Sequence, residues 1–343
     1  MATKGPIRRM PSIPASLDFV IPDSSYLREW GQLPSPDEVG AKAKAQHLTG
    51  ETLICSNIFG TDLEGPQSKP PPAEAQHLTR DTLSCRNHFD IDLDGPQGKP
   101  PPAVFRDRNL LVKWGTGVNI SEAHSLFAIG QLDDIPVPQI FGWCVDRGET
   151  FIYMEYIQGQ TLEQAWDSMD EDHRISVCHE LREIVDALRQ IKQDPLDPFI
   201  GTISRIYPLY DRAFDTNHLS EAGPFASVRE FNDWFTFLFR RKMPDPYSVP
   251  IEPFRSDLAD NSDIIFTHGD LYRSNIMVTP TYHVCGIIDW EQSGWLPAYW
   301  EARKAQYTAW WRSEWSQRYL PLIMDQFPST ADAWDYYVMS LGP

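Results

Sequence analysis

The sequence predicts an α+β protein in which a small strand-rich part is followed by a larger, mostly helical one. Three observations carry this. Short apolar runs bounded by turn residues cluster between residues 104 and 157. Further on, a three-and-four-residue apolar period takes over at Cys178, Leu181, Val185, Leu188 and Ile191. Between them Gly159 breaks the last strand, and Thr161 with Gln164 has the spacing of a capping box for a new helix.

Taken in order, residues 1–44 read as an N-terminal extension and residues 45–103 hold a tandem repeat. Ala45-Gln46-His47-Leu48-Thr49 recurs as Ala75-Gln76-His77-Leu78-Thr79, and Lys69-Pro70-Pro71-Pro72-Ala73 recurs as Lys99-Pro100-Pro101-Pro102-Ala103. The period is 30 residues. Two copies are too few for a solenoid, which needs about three. One copy is therefore expected to belong to the fold and the other to be an exposed insertion, with its Pro-rich ends as extended spacers.

From residue 104 to 157 the pattern is that of a compact strand-rich unit. Asn109–Trp114 reads as a buried strand closed by Gly115-Thr116-Gly117. Ser121 is the expected N-cap of a helix running through Glu122, Leu126, Phe127 and Leu132. Val137–Trp143 and Thr150–Ile157 form a strand pair that turns at Asp146-Arg147-Gly148.

Residues 158–343 are the helix-rich part. Its amphipathic helix stops at Asp194-Pro195, and a long segment rich in aromatics follows (Phe225, Phe231, Trp234, Phe235, Phe239). Asp263–Phe266 is a short strand, and Asn275–Val278 with His283–Ile288 forms a hairpin around Pro280-Thr281. Beyond Pro297 the chain is helical and rich in tryptophan.

Composition narrows the function. With 343 residues, 41% hydrophobic content and 12 tryptophans, the chain is long and apolar enough for a folded core. A formal charge of −18 works against a nucleic-acid partner, whose phosphates need a basic surface. No run approaches the ~20 apolar residues of a membrane span, and the N-terminus leads into no apolar signal core. The five cysteines are scattered, odd in number and without Cys-x-x-Cys spacing, which fits free thiols in a reducing, cytoplasmic setting.

The chemistry concentrates in Thr267-His268-Gly269-Asp270-Leu271-Tyr272-Arg273-Ser274-Asn275, with Ile287-Ile288-Asp289-Trp290 one hairpin later. An acid, an amide five residues on and a second acid after the next strand can hold Mg·ATP and orient a hydroxyl. This pair of motifs resembles the aminoglycoside phosphotransferase family, which shares a protein-kinase-like two-lobe fold with choline kinases. The likeness covers about residues 103 to 343, and its texture is most similar to fungal members.

The resemblance implies a role for each residue. Asp270 would accept or orient the proton of the substrate hydroxyl, and Asn275 and Asp289 would hold magnesium. Lys113 would contact the nucleotide phosphates and pair with a helix glutamate, for which Glu122 is the candidate. Met154, Glu155 and Ile157 would line the interlobe hinge, with the Glu155 carbonyl and Ile157 amide on adenine. Arg273 would contact the γ-phosphate or brace the loop. His268 is expected to be structural, and Glu301 a brace. Asp211, Asp215, Glu230 and Asp233 could pair with an amine-bearing substrate and Trp234 or Trp295 stack on it, but core packing is preferred for these aromatics.

Several features depart from the pattern. No GxGxxG loop precedes Lys113, so a phosphate-covering loop must come from the repeat region or be absent. Tyr272 stands where the family often has histidine. Trp290-Glu291 replaces the Phe-Gly of protein kinases and no Ala-Pro-Glu follows, which argues against a protein substrate. The expectation is an ATP- and Mg²⁺-dependent phosphotransferase acting on a hydroxyl of a small molecule. Its alternative is a catalytically weak pseudokinase or nucleotide-binding scaffold.

Overall fold

A computed structural model describes residues 8–49, 99–214, 222–248, 254–309 and 312–341. The middle of the tandem repeat lies outside the described residues, as do Cys55, Cys85 and Asp215.

The N-terminal part contains β1 (Arg8–Arg9), β2 (Phe19–Val20), α1 (Ser25–Trp30), α2 (Pro36–Thr49), β3 (Ala103–Phe105), β4 (Leu110–Gly115), α3 (Ser121–Ile129), β5 (Ile140–Asp146) and β6 (Glu149–Glu155). Five of these strands form an antiparallel sheet in the order β2-β5-β6-β4-β3. β4 is buried along its whole length because both faces of the sheet are covered. Leu110, Val112 and Trp114 pack with Tyr26, Val39 and Ala43 of α1 and α2. Leu111, one residue out of phase, packs with Ala123 and Leu126 of α3. The period of two therefore also turns Lys113 toward α3.

The described part of the extension, residues 8–44, is joined to this lobe: β2 is an edge strand and α1 and α2, the latter running on into the first repeat copy, cover the outer face. Both ends of the repeat are structured too. Gln46, in the first copy, accepts the Val104 amide through Oε1 at 2.9 Å, and Ala103 of the second copy starts β3. α3 begins at Ser121, so Ile120 and not Ser121 holds the N-cap position, and Asn119 Oδ1, one residue further upstream, accepts the Ser121 amide at 2.9 Å. The helix stops at Ile129, short of the expected Leu132, and Gly130 follows it.

The C-terminal part contains β7 (Gln160–Thr161), α4 (Leu162–Ala165), α5 (Glu171–Gln190), β8 (Ile191–Lys192), α6 (Val228–Phe237), β9 (Ile264–Thr267), β10 (Ile276–Val278), β11 (Val284–Ile287), β12 (Gly294–Pro297), α7 (Trp300–Thr308), α8 (Leu320–Ile323) and α9 (Ala331–Ser340). The expected capping box forms: Thr161 Oγ1 accepts from Gln164, and Gln164 Oε1 accepts from Thr161. α5 buries Val177, Cys178, Leu181, Ile184, Val185 and Leu188 on one face, as its periodicity requires.

The aromatic segment builds a second core. Phe231 and Phe235 of α6 pack with Phe214, Trp300 and Trp334, and the last two rings meet edge-on at 4.4 Å. Two contacts join α3 and the loop after it to the second lobe. Ser293 Oγ donates to Ser125 Oγ of α3 at 2.7 Å, and the Ile287 amide donates to the Pro136 carbonyl at 2.8 Å. The expected two-lobe α+β arrangement is the observed one, with its motifs collected where the lobes meet.

Candidate active site

β9 delivers Thr267-His268-Gly269-Asp270 into a loop that two side chains fix. Glu301, at the start of α7, is buried, and its Oε2 accepts the His268 amide at 2.6 Å and the Gly269 amide at 3.1 Å. The His268 ring is equally buried. Its Nδ1 lies 3.1 Å from the Asp270 amide and its Nε2 lies 2.9 Å from the Ile288 carbonyl oxygen. An amide can only donate, so Nδ1 accepts and Nε2 carries the hydrogen. Burial lowers the pKa of His268, in keeping with this neutral tautomer. Gly269 has φ +79°, and a Cβ there would lie 2.2 Å from the Gln292 carbonyl oxygen, so no side chain fits.

The β10–β11 hairpin brings Asn275 beside Asp289. Ile276 pairs with Ile287, and the Ile288 amide donates to the Asn275 carbonyl at 2.9 Å. Asn275 Nδ2 donates to the Asp270 carbonyl at 2.8 Å and to its carboxylate at 3.2 Å. The other end of that amide, Oδ1, is buried with no hydrogen-bond partner among the described residues. Asp289 follows the strand in the left-handed region, at φ +64°, a conformation that aspartate tolerates better than most residues.

Lys113 Nζ donates to Glu122 Oε1 at 2.6 Å and to Asp289 Oδ1 at 2.7 Å. All three groups are buried, so one ammonium serves two carboxylates. Burial alone would lower the pKa of Lys113, but the charges of Asp289 and Glu122 outweigh it and raise the pKa. Glu122 bears the conflict: burial, with help from the Asp289 and Glu291 charges, raises its carboxyl despite Lys113. Asp289 stays the ionised member, since the ammonium overcomes its burial and lowers its pKa. Asp270 is raised, chiefly by burial, with the Asp289 charge adding and Lys304 and Arg212 opposing. A raised carboxylate is a stronger base.

The donor set suits magnesium. It offers one anionic oxygen ligand at Asp289 and one neutral amide oxygen at Asn275 that no hydrogen bond among the described residues uses. No group of three or more His, Cys, Asp or Glu side chains is placed to hold a metal ion among the described residues. An ion here would therefore draw the rest of its shell from phosphates and water, as magnesium commonly does.

Residues 119–335 match the Phosphotransferase enzyme family over more than half of the chain. The chain belongs to that family. Among solved structures it is similar to a streptomycin–ATP–APH(2″)-IIa ternary complex, at 12% identity over 72% of this chain and 79% of that one, with a TM-score of 0.46. It is also similar to a choline/ethanolamine kinase family protein from Mesorhizobium loti, at 13% identity over 73% and 89% of the two chains, with a TM-score of 0.40. No curated protein matches the chain significantly.

Lys113 lies just ahead of the segment that matches the phosphotransferase family, so its place in the site rests on its own geometry. Met154 is buried opposite Leu111 near the end of β6, and Glu155 closes the strand. The Glu155 amide donates to the Gln139 carbonyl at 2.8 Å. Ile157 reaches the second lobe, where a Cβ on Gly286 would meet its Cδ1 at 2.2 Å. These three residues thus follow the chain from one lobe to the other.

Arg273 points elsewhere. Its guanidinium lies 5.5 Å from the Trp166 ring, 5.5 Å from Trp315 and 5.6 Å from Tyr272. That aromatic surround fits the brace better than the phosphate contact.

Of the four acids considered for an amine-bearing substrate, Asp215 lies outside the described residues and the other three are engaged internally. Asp211 is buried between Lys304 Nζ at 2.6 Å and Trp300 Nε1 at 2.8 Å. Glu230 accepts the Ala226 amide at 2.8 Å, and Asp233 pairs with Arg255 at 2.8 Å. Phe231 and Trp295 are core residues and Trp234 is half-buried against Phe214 and Phe225, as the preferred reading had it.

Three charged residues enter the site that the sequence reading did not single out: Lys99, Arg212 and Glu291. Arg212 lies close enough to Asp270 and Asp289 for their charges to raise its pKa against its burial. Lys99, buried, is ion-paired with Glu291. Arg212 had only its place beside Asp211 to mark it, and Glu291 only its adjacency to Ile288-Asp289-Trp290.

Proposed function

We propose that this chain is an ATP- and Mg²⁺-dependent phosphotransferase that transfers the γ-phosphate to a hydroxyl of a small molecule. The observation that carries the reading is the meeting of Lys113, Asp289, Asn275 and Asp270 at one point between the lobes, with the Asn275 Oδ1 unpaired among the described residues. Membership of the phosphotransferase family supports the reaction class.

The residues divide the work by charge. Lys113 is a rigid cation for the nucleotide phosphates, held in place by Glu122. Asp289 and Asn275 are the magnesium ligands, and the ion bound there would neutralise charge building on the transferred phosphoryl group. Asp270 orients the acceptor hydroxyl and takes its proton, a contribution of about 10²–10⁴-fold. Asn275 Nδ2 fixes the Asp270 carboxylate at 3.2 Å, so the base is held before the acceptor arrives. Met154, Glu155 and Ile157 form the adenine hinge, and Arg273 braces the loop.

No helix among the described residues is long and apolar enough to cross a membrane. Cys144, Cys178 and Cys285 are free thiols.

The test is γ-phosphate transfer from ATP to a panel of small hydroxyl compounds (sugars, amino alcohols, hydroxy amino acids), with Asp270→Asn in parallel. The reading expects Mg²⁺-dependent product with the wild type and almost none with the variant. ATP binding without transfer to any acceptor would favour the nucleotide-binding scaffold.

A further inference from the structure

The turn after β11 carries two carboxylates, Asp289 and Glu291, and a lysine from the first lobe clamps each of them. Lys113 holds Asp289, and Lys99 holds Glu291 across the lobe boundary. Lys99 is only 6% exposed, and its Nζ lies 4.7 Å from the centre of the Tyr210 ring. Tyr210 is in turn hydrogen-bonded to Arg212, the guanidinium that senses Asp270 and Asp289. Glu291 is near enough to the Lys113 clamp for its charge to act on Glu122. Lys99 therefore belongs to the same buried charge cluster as the proposed phosphate site.

Its delivery is unusual. Lys99 precedes Pro100-Pro101-Pro102, a run with fixed φ and no amide hydrogens, which is stiff and extended. Pro100 and Pro102 are buried, and the Pro101 carbonyl accepts Trp114 Nε1 at 3.1 Å. The rod then enters β3, which pairs with β4, the strand of Lys113. Both lysines thus hang from one pair of strands. No glycine-rich loop precedes Lys113 in the sequence.

We infer that Lys99 is a second phosphate-binding lysine, held beside the site by the prolyl rod in place of a glycine-rich phosphate-covering loop, and exchanging Glu291 for nucleotide phosphate oxygens. The inference rests on the nucleotide reading above. A buried lysine–glutamate pair is by itself a poor source of stability, because desolvation offsets its attraction. Its position beside Asp289 gives it a chemical use: when the ammonium moves to a phosphate, it exchanges one anion for another without re-entering water.

The test is calorimetric titration of Mg·ATP, Mg·ADP and AMP into wild type, Lys99→Ala, Lys99→Arg and Asp289→Ala, with the unfolding temperature of each. Loss of one charge-assisted phosphate contact is expected to weaken Mg·ATP about tenfold or more in Lys99→Ala. AMP affinity should hold within about twofold, since adenine recognition lies elsewhere, and Lys99→Arg should restore most of the loss. Equal weakening of ATP and AMP, or a lower unfolding temperature with unchanged ATP affinity, would make Lys99 an interlobe strut and overturn the assignment. Absence of Asp289-dependent Mg·ATP binding in the wild type would instead remove the nucleotide reading, and this inference with it.

Discussion

Asn275 spends its amide nitrogen on Asp270, donating to the backbone carbonyl at 2.8 Å and to the carboxylate at 3.2 Å. The amide is thereby oriented, and its oxygen faces away from both bonds with no protein partner among the described residues. On the proposed reading, one side chain positions the base and presents a metal ligand at once. Asp270→Asn preserves the backbone bond and the shape of the loop. It should lower transfer by about 10²–10⁴-fold and leave Mg·ATP affinity almost unchanged, as single-turnover kinetics and titration would show. Loss of ATP binding in this variant would place Asp270 in the metal site instead.

The pH profile carries a second prediction. Burial raises the Asp270 carboxyl above its ordinary 3.8. The basic form is lost as pH falls through the raised value, so the acid limb of kcat/KM should lie above the usual aspartate range. In Asp270→Glu any surviving activity should keep an acid limb, and in Asp270→Asn the limb should vanish. A wild-type limb near 3.8 would mean that burial does not raise Asp270, and a limb that persists in Asp270→Asn would belong to another group.

Glu301 should prove a loop brace with no direct part in transfer. Its Oε2 serves two buried amides, so Glu301→Ala leaves both without an acceptor, at about 1–3 kcal/mol each. Chemical denaturation should show that loss. Glu301→Gln keeps an acceptor oxygen and should recover most of the stability. A fully stable alanine variant would mean that the loop holds itself.

A fourth prediction concerns the repeat. Gln46 of the first copy binds the Val104 amide, and Lys99 of the second copy leads into β3. Deleting residues 45–74 brings Ala75-Gln76-His77-Leu78-Thr79 directly behind Lys44 and retains Lys99. The shortened chain should unfold cooperatively near the wild-type temperature, with Gln76 on the Val104 amide. Loss of cooperative unfolding would show that both copies are part of the core.

Much of this was legible because it depends on short-range geometry. A period of two turned Lys113 inward with Leu111, and one hairpin returned Asp289 to Asn275. The capping box at Thr161 and the aliphatic face of α5 are equally local. Local signals also misled: the helix expected to be capped by Ser121 starts at that residue, and its first amide is taken by Asn119 two residues upstream. What was not legible depends on long-range pairing. Lys99 is separated from Glu291 by most of the chain, and proline-rich spacers carry no mark of where they dock. Asp211 looked available for a ligand until the fold placed Lys304 and Trp300 against it. The surround of Arg273 is likewise assembled from three separate segments.

The most direct test of the central claim is thermal unfolding with ATP, with and without Mg²⁺, on wild type and Asp289→Ala. It needs no knowledge of the acceptor. Ligand at about 100 times its Kd should add roughly 2.7 kcal/mol of stability. The account predicts that the wild type gains this only when Mg²⁺ is present and that Asp289→Ala does not gain it. An equal gain in the variant, or no gain in the wild type with ATP or GTP, would contradict a magnesium–nucleotide site at Asp289.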